Sequence, residues 1–86
     1  IVDDDINYRW MIRNALRLRG FEPSQLLEAE DGAKALEILK KEGIALVLCD
    51  YRMPGMNGGE LYEKMSESDA LKGIPFIMLT SREGNS

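Results

Sequence analysis

The sequence predicts an α/β domain, a doubly wound parallel sheet with helices on both faces. Three observations carry that expectation. Short apolar runs alternate with amphipathic segments in the order strand, helix, strand, helix, strand, helix, strand. One run, Ala45-Leu46-Val47-Leu48-Cys49, is unbroken apolar between Gly43 and Asp50, as in a strand covered on both faces. Turn formers separate the segments, and there is no internal repeat or low-complexity tract.

The chain opens on an apolar stub, Ile1-Val2, that runs straight into Asp3-Asp4-Asp5. From Asn7 to Arg19 the pattern is helical, with Tyr8, Met11, Ile12, Ala15 and Leu18 recurring at three- and four-residue intervals. Asp5 or Asn7 is placed to cap its start, and Gly20 stands where a helix stop belongs. Phe21 to Ser24 is a connector, because Pro23 has no backbone donor for a continuing element. Gln25 to Ala29 reads as a short strand. Asp31-Gly32 then caps a second helix, Ala33 to Glu42, expected to bury Leu36, Ile38 and Leu39 and to end at Gly43. After the apolar strand, Asp50 to Gly58 is a loop by its Pro and Gly content. A third helix runs from Gly59 to about Glu67, with Leu61, Tyr62 and Met65 on one side. A polar link follows, and Ile74 to Leu79 is a last buried strand, in which Pro75 is tolerated only at the start. The tail from Thr80 has no apolar residue.

Composition narrows the function. Eleven Lys and Arg against fifteen Asp and Glu leave a net charge of −4, which argues against a sequence-independent nucleic-acid binder. With no His and one Cys, zinc fingers, haem sites, Ser–His or Cys–His pairs and disulfide frameworks are excluded. The lone Cys fits a reducing, cytoplasmic setting. Ile44 to Cys49, the longest apolar run, is far shorter than the roughly 20 residues that span a bilayer, and no signal peptide is visible, so no membrane partner is expected. The opening on Ile1 without a Met suggests a fragment that begins inside its first strand.

In sheets of this kind, ligands bind beyond the carboxyl ends of the strands. Three strands here end in polar groups: the first in Asp3-Asp4-Asp5, the third in Asp50 and the fourth in Thr80-Ser81. If the strands are parallel, all three endings share one edge. Carboxylates converging there repel one another unless a cation sits between them. With oxygen ligands alone, the natural cation is magnesium or another hard divalent ion. The plainer reading is that the Asp run caps a helix and Asp50 ends a strand in a turn. The coincidence at three strand ends favours the metal site.

These residues carry a family resemblance. Val2-Asp3-Asp4, Asp50 after an apolar strand, Met53-Pro54 with Asn57-Gly58, and Leu79-Thr80-Ser81 together resemble the receiver domain of two-component response regulators, of the chemotaxis-regulator kind. The resemblance covers residues 1–86 as a partial receiver domain. It implies a flavodoxin-like fold of strand order 2-1-3-4, with the fifth strand and last two helices absent. It implies a phosphorelay role, in which Asp50 accepts a phosphoryl group from a histidine kinase or histidine phosphotransfer protein. Such a domain is a self-modifying signalling module, not a turnover enzyme. Asp4 is then the direct magnesium ligand, Asp3 assists, Asp50 contributes, and Arg52 offers its backbone carbonyl to the metal. Thr80 is the hydroxyl that switches with phosphorylation, and Arg52 and Arg82 match positions that tune phosphoryl lifetime.

Two departures accompany the resemblance. Lys34, Lys40, Lys41, Lys64 and Lys72 all precede Thr80, so none matches the family's lysine after a fifth strand. The first strand is clipped to two residues. The missing elements imply an exposed edge at the last strand, open to self-association. Two rival readings are a degenerate receiver serving only as an interaction module, and a haloacid-dehalogenase-type phosphohydrolase using Asp3 and Asp5. On the first helix, Trp10 falls among Arg13, Asn14 and Arg17, away from the apolar stripe, and Arg9, Arg13 and Arg17 recur every four residues. That side is either a solvated face with Trp10 stacked on Arg13 or a docking face for the phosphodonor protein, with Trp10 and Arg13 as contacts.

Overall fold

The computed structural model describes residues 1–79. Helix α1 spans Ile6–Leu18, α2 Gly32–Lys41 and α3 Gly58–Ser66, and strands β1 and β2 span Val47–Asp50 and Phe76–Leu79. The strands pair in parallel, with Val47 opposite Phe76 and Asp50 opposite Leu79. Val2 extends this sheet through parallel bridges to Cys49 on one side and to Ala29 on the other. The spatial order is therefore Ala29, Val2, β1, β2, which is the predicted 2-1-3-4. The chain first winds from Val2 to Ala29 and then reverses toward β1 and β2. Right-handed crossovers on a sheet wound both ways place α1 on one face and α2 and α3 on the other.

The first two strands are barely formed. A ladder of bonds joins them: Ile1 N–H to the Leu27 carbonyl at 2.8 Å, Ala29 N–H to the Ile1 carbonyl at 2.9 Å and Asp3 N–H to the Ala29 carbonyl at 3.1 Å. The strand expected from Gln25 shrinks to the bridge at Ala29 because local bonding takes its beginning. Pro23–Gln25 is a 3-10 turn in which Gln25 Oε1 accepts the Glu22 N–H at 2.7 Å. The central strand also starts later than its apolar run. Its first possible partners are Phe76 and the Pro75 carbonyl, which accepts the Val47 N–H at 3.0 Å, so Ala45 and Leu46 extend past the sheet and Leu46 is exposed. Pro75 lies just outside β2, as its missing donor requires.

The core lies on the α2/α3 face. Val2, Ala29, Val47 and Cys49 from the sheet meet Ala35 and Leu39 of α2 and Leu61 and Met65 of α3, closed by Met53 and Leu71. Leu36 and Ile38, expected to be buried, are half-buried at the margin of this cluster. Tyr62 packs edge-on against Phe76, with ring centres 5.3 Å apart, and so ties α3 to β2. On the other face α1 buries no residue: Tyr8 and Ile12 are half-buried, while Met11, Ala15 and Leu18 of the predicted stripe are exposed. Among the described residues β2 pairs with β1 alone, and its Ile77 and Met78 are exposed.

This asymmetry sets the stability of single positions. Leu61→Ala, at a fully buried site, should lower the unfolding free energy by about 3 kcal/mol, whereas Leu18→Ala, on the exposed end of α1, should change it by less than about 0.5 kcal/mol. Urea melts of the two variants check the contrast.

Candidate metal and phosphoryl site

Parallel pairing brings the carboxylates together. Val2 donates its N–H to the Leu48 carbonyl at 2.8 Å and accepts from Asp50 N–H at 2.9 Å, so Asp3 and Asp50 leave neighbouring strands at the same edge. Asp4 follows on the loop into α1. Carboxylate oxygens of Asp3, Asp4 and Asp50 all lie within 4.8 Å of one another. Asp3 and Asp50 are buried, at 0% and 1% exposure, and Asp4 is open to solvent. The cluster fits a magnesium ion by geometry and by donor chemistry. Octahedral ligands at about 2.1 Å from the metal stand roughly 3.0 Å apart when adjacent and 4.2 Å when opposite, which this spacing spans. All three donors are hard oxygens, and one exposed side leaves room for the waters that magnesium retains.

The third residue of the Asp run has a different task. Asp5 Oδ1 accepts the Asn7 N–H at 2.9 Å and caps α1, so the helix start selects Asp5 over Asn7. Its own N–H donates to Asp3 Oδ1 at 2.9 Å, which restrains the Asp3 carboxylate.

The loop after Asp50 is folded back on its own strand. Gly55 takes φ +73° in the turn that Pro54 begins, a conformation that disfavours any side chain. Asn57 and Glu60 cap α3 reciprocally, each side chain accepting the other's backbone N–H at 2.9 Å. Gly58 N–H then donates to the Tyr51 carbonyl at 2.8 Å. A Cβ on Gly58 would stand 2.7 Å from the Asp50 carbonyl and 2.7 Å from Met78 Sδ, so only glycine lets α3 start against the end of β1. Asp4, Tyr51, Arg52, Met53, Pro54 and Asn57 line a shallow open cleft of about 450 Å³ beside the acidic cluster. Arg52 is thus placed at the site. Thr80, with Ser81 and Arg82, lies outside the described residues.

The arginine row of α1 does not face outward as a row. Arg9 Nε donates to Glu28 Oε1 at 3.0 Å, and Arg13 Nη1 to Glu28 Oε2 at 3.2 Å. Arg13 also donates to the carbonyls of Leu26 at 2.9 Å and Pro23 at 3.2 Å. Its guanidinium is thus engaged within the chain, and its side chain is still 26% exposed. Trp10 is 65% exposed. Sequence reasoning placed Arg9 in the basic row and missed its pairing with Glu28. The available signal was a Glu between Leu27 and Ala29 in a strand-like run, opposite two arginines four apart.

Cys49 sits directly behind the acidic pair. It is fully buried, and its thiol donates to the Asp50 carbonyl at 3.2 Å. Burial, followed by the negative charges of Asp50 and Asp3, pushes its pKa up to about 12. A raised thiol pKa favours the neutral folded form, so its contribution to stability is present below the ordinary thiol pKa and lost as pH rises toward 12.

The fold and site define a class: a parallel α/β domain with an acidic pocket at the strand ends. The whole chain, residues 1–86, matches the response regulator receiver domain. It is 41% identical over 81 residues to the chemotaxis protein CheY-3 of Vibrio cholerae, covering 94% of this chain and 61% of that protein. It is 40% identical over 85 residues to the chemotaxis protein CheY1 of Helicobacter pylori, covering 98% and 67% respectively. The response regulator TrrA of Thermotoga maritima, solved in complex with Mg(2+)-BeF, superposes with a TM-score of 0.82 at 30% identity, over 98% of this chain and 72% of that one. The chain belongs to the response regulator receiver domain family. It spans about 61% of the length of its Vibrio relative. The haloacid-dehalogenase reading is thereby set aside.

Two measurements test the local geometry. Gly58→Ala should destabilise the fold by about 1–3 kcal/mol in a urea melt, since the Asp50 backbone oxygen has nowhere to move. Stability of the wild type should fall between about pH 9 and 12 more steeply than that of Cys49→Ala, and Cys49 should react with a thiol reagent at neutral pH only on unfolding.

Proposed function

We propose that this chain is a phosphorylatable receiver of a phosphorelay, with Asp50 as the phosphoacceptor. The observation that carries the reading is the convergence of Asp3, Asp4 and Asp50, their oxygens within 4.8 Å, at the carboxyl edge of the sheet. Asp3, Asp4, Asp50 and the Arg52 backbone carbonyl would hold magnesium. Bound there, the ion neutralises charge on both the carboxylate and the incoming phosphoryl group. An Asp50 oxygen attacks phosphorus as the bond from phosphorus to the donor histidine nitrogen breaks, leaving an acyl phosphate on Asp50. The buried strand end fixes that oxygen in place, so the chain's part in the reaction is positioning. The cleft beside Asp4 gives the donor its approach. Thr80 serves as the hydroxyl that reads the phosphorylated state.

The partners in this reading are a histidine kinase or histidine phosphotransfer protein, with exposed Trp10 on α1 as a contact. The exposed Ile77 and Met78 on β2 are where self-association would begin. No helix of the described residues is long and apolar enough to cross a membrane. A cytoplasmic setting belongs to the same proposal, supported by the free, buried Cys49. Family resemblance and the TrrA complex with Mg(2+)-BeF support the chemistry.

Labelling with acetyl phosphate in magnesium tests it. The wild type should gain one phosphoryl group, Asp50→Asn none, and Asp4→Ala far less than the wild type. Magnesium should raise the melting temperature of the wild type and leave that of Asp4→Ala unmoved. A wild type that takes no label would instead make the chain a degenerate receiver acting only as an interaction module.

A further inference from the structure

We propose that Arg9 is a positioning residue of the acidic pocket, fixing the Asp3–Asp4 peptide so that both carboxylates face Asp50. The inference rests on the magnesium reading above. Arg9 leaves the first turns of α1, its side chain only 12% exposed, and makes two bonds. Its Nη1 donates to the Asp3 carbonyl at 2.6 Å and its Nε to Glu28 Oε1 at 3.0 Å. The Asp3 carbonyl belongs to the peptide that joins two members of the cluster, so its direction sets where both side chains leave the chain. Asp3 is held at three points: its N–H by the Ala29 carbonyl, its carbonyl by Arg9, and its Oδ1 by the Asp5 N–H.

Glu28 makes the clamp rigid. One carboxylate oxygen takes Arg9 and the other takes Arg13, which is itself tied to the Leu26 and Pro23 carbonyls. The guanidinium of Arg9 is therefore held at its far side while it donates to the Asp3 carbonyl. A planar fork can meet a carbonyl and a carboxylate at once, while a lysine offers a single point of charge. Groups that orient metal ligands from behind in this way typically change metal affinity by 10–100-fold when removed.

The test is magnesium binding by titration calorimetry on the full folded chain, with Arg9→Lys and Arg9→Gln beside the wild type. Both variants should bind magnesium about tenfold more weakly, and the Asp5 amide should exchange faster in the metal-free protein, because Asp3 has lost one of its restraints. Arg9→Lys keeps the charge and decides the matter even where Arg9→Gln fails to fold. Wild-type affinity in Arg9→Lys overturns the proposal, and so does a lower melting temperature in both variants with unchanged affinity, the mark of a purely structural arginine. A wild type that binds no magnesium overturns this inference together with the reading it rests on. A wild type that binds, with variants that bind equally, overturns this inference alone.

Discussion

Three carboxylates held within 4.8 Å of one another, two of them fully buried, dominate the physics of this domain. Like charges so close in a low-dielectric setting repel strongly. A chain that keeps them together must hold them rigidly and leave a place for positive charge. Much of the surrounding structure answers that constraint. The parallel bonds between Val2 and β1 bring the two strand ends side by side, and the loop after Asp50 is folded back so that an open cleft remains in front of them.

Mechanical support comes from behind the site. Arg9 reaches the Asp3 carbonyl, and Glu28 stands between Arg9 and Arg13 and absorbs much of their charge. The arrangement lends directional hydrogen bonds to the pocket without filling it with a cation. Polar bonds to the segment from Pro23 to Glu28 also tie α1 to the rest of the domain, beside its half-buried Tyr8 and Ile12. The apolar core, in contrast, is concentrated under α2 and α3, where it supports β1 and the base of the site.

The end of β1 is built for closeness. Cys49 fills the space behind Asp50 with a thiol that burial keeps neutral, and Gly58 lets the next helix begin against the Asp50 carbonyl. Both residues are buried. Both fix the backbone from which the Asp50 carboxylate projects, and in the proposed reading positioning is most of what that carboxylate requires of its protein.

The sequence by itself determined the type and order of the elements, the parallel sheet, and the aspartates that stand at strand ends. Those features are local: apolar periodicity, capping residues and turn formers act over a few residues and are legible in a row of letters. The Met53-Pro54 and Asn57-Gly58 loop was legible for the same reason. The resemblance already singled out Asp3 and Asp4, while only the tertiary structure decided that Asp5 and not Asn7 caps α1. The tertiary structure alone paired Arg13 with Glu28, and reduced the second strand to a bridge at Ala29. Each of these depends on pairing between distant segments, such as Arg9 with Glu28 nineteen residues away. No local period encodes such a pairing, because it exists only once the strands have chosen their neighbours.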